Sequence, residues 1–335
     1  MHFDLPLIWA IIILFGIMMY IMMDGFDLGI GILYPFFSEK SDRDVMMNTV
    51  APVWDGNETW LVLGGAGLLA AFPLAYAVVL SAFYMPIILM LLALILRGVA
   101  FEFRFKAQEH ERHFWDKAFI VGSVAATFFQ GMILGAYLHG IHVVDGKYAG
   151  GPLDWITPFS AFTALGLLVT YALLGSTWLI MKTSGELQTV SYRLARVMAF
   201  VLLAFIVAVS IWTPLLNEAI AARWFTMPNM LWLSPVPLMV TGFFVLLQKA
   251  LAEKAHVTPF VYALALVFLG YLGLGISIWP NIIPPDISIY AAASPPQSQS
   301  FALVGALIII PLIIAYTAWG YYVFRGKVSA DDHYH

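Results

Sequence analysis

Cysteine is missing from this sequence, and charged residues are scarce. The 335 residues include no cysteine, which excludes a disulfide framework, a thiolate metal site and an iron–sulfur cluster. Only 11% of the residues are charged, against about a quarter in a typical soluble domain, and 61% are hydrophobic. The formal net charge of -4 offers no basic face to phosphates. These shortages exclude a soluble enzyme, a disordered chain and a nucleic-acid-binding protein.

Most of the sequence consists of long apolar segments without charged residues. Lysine, arginine, aspartate and glutamate are absent from the stretches 5–23, 59–96, 118–144, 155–181, 197–217, 224–248, 255–285 and 287–324. A helix needs about 20 apolar residues to cross the hydrocarbon core of a bilayer. The segments are continuous rather than alternating in polarity, which argues against a β-barrel. The first residues lack the positive charge of a cleavable signal peptide, so we expect the first segment to be a retained span.

Segment length and helix-breaking residues give the number of spans. The stretch 59–96 is too long for one helix and contains Pro73, so it predicts a hairpin of two helices. The polar segment 294–300 is expected to be a loop before the last helix. The sequence therefore predicts an all-α polytopic membrane protein, one transmembrane domain over residues 1–335 with nine spans, at about 7–33, 51–72, 76–97, 118–140, 157–181, 197–217, 228–248, 259–280 and 301–324.

The basic residues predict the orientation. With the N-terminus outside, 14 of the 16 lysines and arginines fall on the cytoplasmic side, and only Lys147 and Arg223 fall on the other. Cytoplasmic loops of membrane proteins carry such an excess of positive charge. We therefore expect an N-out, C-in protein with an odd number of spans.

Acidic residues inside the first apolar segment are the first functional signal. Asp24 and Asp27 interrupt an apolar pattern that continues to Leu33, and they fall in the cytoplasmic half of the first predicted helix. Their spacing of three residues places both on one face of that helix.

The second predicted span contributes another pair of carboxylates. Its charge-free part, from Thr59 to Phe72, has 14 residues. At about 1.5 Å per residue it cannot cross a core of about 30 Å. Extending the helix back to about Ala51 places Asp55 and Glu58 inside it, again three residues apart.

Together these four carboxylates form a candidate proton path from the cytoplasm. A charged carboxylate costs about 2.5–3.5 kcal/mol at the centre of a lipid-facing helix, so we expect all four to face a protein interior or a hydrated cavity. A structural alternative remains open, because residues 55–57 could form a turn before a shorter re-entrant helix.

Histidines and the remaining charges suggest little further chemistry. The eight histidines are at positions 2, 110, 113, 139, 142, 256, 333 and 335, and none lies in the middle of a predicted span, so a buried haem would lack its usual ligand. His139 and His142 could form a surface metal site, but a solvated helix end is the simpler interpretation, and we predict no metal centre. Arg97, Glu102 and Arg104 fit a cytoplasmic interfacial collar, although Arg97 could reach a buried carboxylate.

Glycines in the predicted spans are expected to allow close helix packing. The segments 29–31 and 64–67 contain Gly29, Gly31, Gly64, Gly65 and Gly67. They do not follow a strand, as a nucleotide-binding glycine loop would. Small residues in membrane helices let two backbones approach each other.

Two motifs resemble a known family. The segments DGFDLGIG at 24–31 and APVWDGNETW at 51–60 are similar to subunit II of the cytochrome bd-type quinol oxidases, including the cyanide-insensitive branch. Weaker matches, such as 101–104 and 182–187, extend the resemblance from the first helix to the last.

The resemblance implies a respiratory terminal oxidase of the bacterial cytoplasmic membrane. Such a complex oxidises quinol and reduces dioxygen to water electrogenically, with haems b and d in the larger partner, subunit I. The implied fold is two four-helix bundles plus one peripheral helix. The implied tasks of subunit II are assembly of the haem-bearing subunit, a proton-uptake path and, in some members, retention of a structural quinone. Small single-helix subunits join some complexes.

The resemblance also carries roles to individual residues. Asp55 matches the position associated with proton entry, and Trp60 and Trp54 are candidates for an oxygen route or the subunit interface. Val53 stands where some relatives have histidine, so a proton role does not transfer to that position. Glu58 stands where some relatives have glutamine, so we do not expect it to be indispensable.

Two other functions remain as alternatives. A proton-coupled secondary transporter would also use intramembrane carboxylates, but no internal repeat is visible in the sequence. A purely structural assembly subunit would use the carboxylates only for packing.

Overall fold

Helices account for nearly all of the chain. In the computed structural model, which describes residues 4–329, fourteen helices follow one another: α1 (Leu5–Leu33), α2 (Lys40–Val50), α3 (Trp54–Ala71), α4 (Pro73–Ala82), α5 (Tyr84–Lys106), α6 (Arg112–His139), α7 (Pro158–Lys182), α8 (Gly185–Leu216), α9 (Glu218–Phe225), α10 (Asn229–Leu233), α11 (Pro235–Ala252), α12 (Thr258–Ile278), α13 (Ile289–Ala292) and α14 (Pro296–Val323). A 3-10 turn, Tyr34–Phe36, follows α1. The predicted all-α class is confirmed.

Eight of these segments are long and apolar enough to cross a membrane: Leu5–Phe36, Tyr84–Lys106, Arg112–His139, Pro158–Lys182, Gly185–Leu216, Asn229–Ala252, Thr258–Ile278 and Pro296–Val323. The chain is therefore a multi-pass membrane protein. The second predicted span corresponds to α3, which is too polar in its first two turns to meet the same criterion. The count of nine spans and the N-out orientation stay predictions.

The second and third predicted spans differ from the observed helices. Helix α3 begins at Trp54 instead of Ala51, because residues 51–53 form a turn. Asp55 and Glu58 are nevertheless helical, so the alternative of a turn at 55–57 is wrong. The third span is divided at Phe83 into α4 and α5. Pro86 explains the division, since it lacks an N–H and its ring would clash with the carbonyl of Ala82.

Several predicted loops are helical. Helix α5 continues to Lys106 and α6 begins at Arg112, so the expected loop 98–117 shrinks to residues 107–111. Likewise α8 begins at Gly185, and α14 begins at Pro296 within the polar segment 294–300. The apolar stretches of the sequence located the apolar part of each helix. Charged residues continue a helix beyond the hydrocarbon core where their side chains are solvated or, as for Arg104 and Asp116, paired with each other.

Helix α1 lies at the centre of the packing, in contact with α3, α6 and α7. Its crossing with α7 depends on Gly29 and Gly175: a Cβ on Gly29 would lie 2.0 Å from the Tyr171 carbonyl oxygen, and one on Gly175 would lie 2.6 Å from the Gly29 carbonyl carbon. Gly64 and Gly67 of α3 likewise face Ile17 and Ile13 of α1. The prediction that these glycines allow close packing is confirmed for all of them except Gly65, whose Cβ position has nothing within 4 Å.

The C-terminal helices form a looser layer. Helix α7 also contacts α8 and α12, and α11 packs against α12. Helix α14 lies at the periphery against α1 and α3, and Gln299 is its only buried residue.

Two short antiparallel hairpins join the helices at the end away from α2. Strands β1 (Val143–Val144) and β2 (Lys147–Tyr148) form one, and β3 (Asn281–Ile283) and β4 (Ile287–Ser288) form the other. The amide of Ile141 donates to the carbonyl of Pro284 at 2.9 Å, which ties the two connections together. We call the opposite end, with α2 and the last turns of α7 and α14, the basic end.

Candidate functional site

Two carboxylates lie fully inside the helix bundle. Asp24 and Asp27 of α1 are 0% and 2% exposed. They are buried because α1 is the central helix and because Gly29 brings α7 close, one turn away. Within residues 4–329, Asp24 Oδ2 and Asp27 Oδ1 have no hydrogen-bond partner. As the sequence predicted, both carboxylates avoid lipid.

Arg97 is the counter-ion of Asp24. Its guanidinium donates to Asp24 Oδ1, and the arginine is only 1% exposed. Helix α5 can bring it there because Gly122 of α6 has no side chain: a Cβ at that position would lie 2.7 Å from the Arg97 amide nitrogen. The guanidinium also lies 5.7 Å from the ring centroid of Trp54. The collar interpretation of Arg97 is therefore wrong, and the alternative, reaching a buried carboxylate, is the observed arrangement.

Asp27 is held by a second set of polar groups. Asn57 of α3 donates its amide N–H to Asp27 Oδ2 at 2.7 Å. The amide oxygen of Asn57 accepts a hydrogen bond from the Tyr321 hydroxyl of α14 at 2.8 Å. Three helices thus meet at one carboxylate. The tertiary structure adds Asn57 and Tyr321 to the predicted site.

A further polar chain leads away from Asp24 into the bundle. The Tyr20 hydroxyl lies beside the Asp24 carboxylate. It accepts a hydrogen bond from Gln130 at 2.6 Å, and Gln130 accepts one from Tyr171 at 3.0 Å. Tyr20 and Tyr171 are buried, so this chain stabilises the interior next to the ion pair.

The carboxylates of α3 lie in a different environment. Glu58 is half-buried, and its charge interacts with those of Arg97, Asp24 and Asp55. Asp55 is exposed on this chain. Asp55 therefore does not face the interior of this chain, and the expectation that it faces a protein interior or a hydrated cavity stays a prediction. Helix α3 lies at the edge of the bundle, and only one side of it is covered by α1.

The two tryptophans of the second motif also occupy separate environments. Trp60 is 1% exposed and packs against Phe15, with 5.8 Å between ring centroids. It lies inside the chain and presents no surface to a partner. Trp54 is half-buried and lies 5.3 Å from Phe101, close to Arg97. Nothing in this geometry tests an oxygen route.

A cluster of ion pairs ties the basic end together. Arg104 Nε donates to Asp116 at 2.5 Å, and its Nη1 lies 2.7 Å from Asp44. Arg43 binds Asp116 from the other side at 3.2 Å. Arg104 is 1% exposed, so the collar interpretation is wrong for it as well. Asp44 of α2, Arg104 of α5 and Asp116 of α6 fix these helices relative to one another.

Histidines take no part in the interior. Those at 110, 113, 139, 142 and 256 are all exposed, and positions 2, 333 and 335 lie outside the described residues. Between residues 4 and 329, no group of three potential metal-ligating side chains is found. Helix α6 ends at His139, so His142 does not continue its face.

The sequence signal missed part of the site for a clear reason. Asn57 is a polar residue in a span and could have been included with Asp55 and Glu58. Tyr20, Tyr171 and Tyr321 gave no signal, because tyrosines occur throughout membrane helices. Tyr20 lies on α1, four residues before Asp24, whereas only the packing of α7 and α14 on α1 brings Tyr171 and Tyr321 near the carboxylates.

The comparisons with known proteins identify the family. Residues 5–324 match the family described as Cytochrome bd terminal oxidase subunit II. The chain belongs to this family. The resemblance noted in the sequence is therefore confirmed over almost the whole chain.

Curated relatives agree over nearly their full length. The chain is 28% identical to "Cytochrome bd-I ubiquinol oxidase subunit 2" of Escherichia coli (strain K12) over 369 aligned positions, covering 98% of this chain and 96% of that one. It is 28% identical to "Cytochrome bd ubiquinol oxidase subunit 2" of Bacillus subtilis (strain 168), covering 97% of both chains. The solved bd oxidase of Geobacillus thermodenitrificans superposes with a TM-score of 0.72 and 18% identity, covering 96% of this chain and 99% of that one, and so shares the fold.

Family membership settles the class of protein. The chain is a subunit of a quinol oxidase, an oxygen-reducing oxidoreductase complex of the respiratory chain. Haem cofactors belong to such a complex, and the designation subunit II implies a partner, subunit I. The transporter alternative is not retained.

Proposed function

We propose that this chain delivers protons to the oxidase through its four carboxylates. The observation that carries the proposal is their graded exposure. Asp55 is exposed, Glu58 is half-buried, and Asp27 and Asp24 are buried beside Arg97. Glu58 interacts electrostatically with the exposed Asp55 and with the buried Asp24. Reduction of dioxygen to water consumes protons, and such a series can transfer them inward from the surface.

The exposed face of α3 is the proposed contact with the haem-bearing subunit. Asp55, Thr59, Val62, Ala66 and Leu69 are all exposed and form one stripe along the helix. Helix α3 has 18 residues. At about 1.5 Å per residue it is shorter than a core of about 30 Å, so Asp55 lies at or inside the membrane boundary. A carboxylate there is costly against lipid, which favours a protein partner.

The remaining assignments follow from the family resemblance. We place haems b and d in subunit I, since the described histidines of this chain lie on its surface. We assign no site to a structural quinone. Small single-helix subunits, the bacterial cytoplasmic membrane and the N-out, C-in orientation with nine spans belong to the same proposal, as does a role in assembling the haem-bearing subunit.

Substitution of single carboxylates in the intact complex tests the proton path. Asp27→Asn and Asp55→Asn each remove one titratable group and keep its shape. We expect oxygen consumption and proton uptake to fall at least about a hundredfold, the lower end of the scale for a lost proton-transfer group. The haem spectrum should stay at the wild-type level. Asp145→Asn, in the β1–β2 turn, is the matched control and should behave as wild type.

Two results would contradict the proposal. Wild-type turnover and proton uptake in both variants would exclude the path. Loss of haem in parallel with activity would favour the purely structural role, in which the carboxylates serve assembly only.

A further inference from the structure

A small cleft opens at the basic end, between α7, α14 and the α2–α3 connection. Its volume is about 110 Å³, and Thr49, Val53, Met181, Lys182, Tyr321 and Arg325 are among its lining residues. A space of this size can hold a few water molecules. The exposed face of α3 that carries Asp55 is not part of its lining.

The chain after α14 forms one wall of this cleft. Lys182 Nζ donates to the carbonyl of Phe324, at the C-terminal end of α14, and to the carbonyl of Gly326 at 2.8 Å. The amide of Val328 donates back to the Lys182 carbonyl at 2.7 Å, and Val328 is 4% exposed. A lysine at a helix C-terminus interacts favourably with unpaired carbonyls there. The cleft is therefore bounded by an ordered segment.

Tyr321 connects the cleft to the buried carboxylates. Its side chain lines the cleft, and its hydroxyl donates to Asn57, which in turn donates to Asp27. The ring is fixed by Phe26 and Trp178, whose centroids lie 6.5 and 6.1 Å away. A continuous series of hydrogen bonds thus runs from the cleft to a carboxylate that is 2% exposed.

We propose that this cleft is a second proton entrance, which reaches Asp27 from within this chain and is separate from Asp55. The proposal deepens, and rests on, the proton-delivery function proposed above. Tyr321 and Asn57 are positioning residues: they hold Asp27 Oδ2, which leaves Oδ1, without a hydrogen-bond partner among residues 4–329, as the proton acceptor. The donor in this proposal is a hydronium ion admitted through the cleft, which gives its proton to Oδ1 and becomes water.

The other ionisable groups around Asp27 are few. Asp24 lies on the same helix, Glu58 on α3 and Arg97 on α5, and Tyr321 faces it from α14. Arg97 is bound to Asp24. Entry of a proton at Asp27 therefore places it directly next to the ion pair, without passing through Glu58. This distinguishes the cleft from the route along α3.

Cysteine labelling tests whether the cleft is a water-accessible entrance. The chain has no cysteine, so Met181→Cys introduces a single thiol at the half-buried cleft wall. The intact complex is treated with a membrane-impermeant methanethiosulfonate that carries a sulfonate. We expect Met181→Cys to be labelled and its oxygen consumption to fall about a hundredfold, the lower end of the scale for a lost proton-transfer step.

The controls separate access from general damage. Ala252→Cys, exposed at the end of α11, should be labelled without loss of turnover. The wild-type complex, treated identically, accounts for cysteines in the partner. If Met181→Cys is not labelled, or if it is labelled without loss of oxygen consumption, the cleft is not a proton entrance.

A tyrosine pair tests the connection to Asp27. Tyr321→Phe removes the hydroxyl and keeps the ring, whereas Tyr322→Phe alters an adjacent, 57% exposed residue. We expect Tyr321→Phe to change the pH profile of oxygen consumption and lower its maximum about fivefold with an unchanged haem spectrum, as loss of one hydrogen bond to the site would do. Tyr322→Phe should match wild type.

The outcomes distinguish this inference from the proposed function. If Asp27→Asn slows the oxidase but Tyr321→Phe and labelled Met181→Cys do not, only the cleft is excluded. If Asp27→Asn is itself without effect, the role of Asp27 and the cleft are both excluded.

Discussion

The two carboxylate pairs of this protein have the same spacing and opposite environments. Asp24 and Asp27 lie within the bundle, where Arg97 and Asn57 bind them. Asp55 and Glu58 lie one helix away, the first exposed and the second half-buried. A spacing of three residues puts two side chains on one face of a helix, but it does not say what covers that face.

The position of each helix explains the difference. Helix α1 is surrounded by α3, α6 and α7, whereas α3 has an uncovered side. A buried charge must be paired or hydrogen-bonded, so the α1 pair depends on its neighbours for stability. The α3 pair depends on whatever covers the bundle edge in the assembled oxidase. The comparison predicts large effects from changes around α1 and small ones at the exposed positions.

Loss of the buried counter-ion should have the largest effect. Arg97→Met leaves Asp24 as an unpaired charge in the interior, which costs about 3–5 kcal/mol of unfolding free energy. We expect a lower thermal unfolding midpoint and a reduced yield of the complex. The double variant Arg97→Met with Asp24→Leu removes both charges and should recover most of the stability. A double variant as unstable as Arg97→Met alone would show that packing, not charge, explains the loss.

Overpacking of the α1–α7 crossing should have the second-largest effect on stability. Gly29→Ala places a Cβ 2.0 Å from the Tyr171 carbonyl oxygen, and the backbone must shift. Such overpacking costs about 1–3 kcal/mol, measurable as a lower unfolding midpoint. Gly242→Ala, on the exposed side of α11, has nothing within 4 Å of its new Cβ and is the control. Equal effects of the two substitutions would remove the contrast between central and edge helices.

Asp55→Asn should change stability much less than it changes activity. The side chain is exposed and makes no ion pair within residues 4–329, so we expect the unfolding midpoint to stay within the range of surface substitutions, about 0.5 kcal/mol. Thermal unfolding curves of the purified complex, recorded for wild type and Asp55→Asn, measure this difference in midpoint. A loss similar to that of Arg97→Met would mean that Asp55 is a structural residue of the subunit interface.

The smallest effect is expected at the exposed pair of Lys40 and Glu109. The hydrogen bond and charge of Lys40 lower the pKa of Glu109, which is 84% exposed. Because the folded pKa is below the usual value of about 4.3, the stabilisation is present above that pH and is lost as pH falls through the folded pKa. Glu109→Gln should therefore shift the unfolding midpoint only slightly at neutral pH, and not at all in acid or high salt. A shift that persists in high salt would contradict this.

The sequence predicts the long helices and the family motifs of this protein better than it predicts the loops. Charge-free stretches located the long helices because the bilayer imposes their length. They did not locate the helix ends, as α5, α6 and α8 show, since helices continue into water wherever their backbone bonds are satisfied. The break at Phe83 depends on Pro86, whose ring would clash with the carbonyl of Ala82 in a continuous helix.

In the candidate site, too, some features follow from the sequence and others only from the tertiary structure. By itself the sequence determined that this is a helical membrane protein, that four carboxylates sit in two apolar helices, and that two motifs resemble subunit II of a bd oxidase. Those features are local, since composition and spacing along one helix are enough to recognise them. Only the tertiary structure decided that Arg97 binds Asp24 and that Tyr321, 264 residues from Asn57 in the chain, joins it to Asp27. Those contacts depend on which helices meet and on the glycines that let them approach, and no spacing within one helix encodes them.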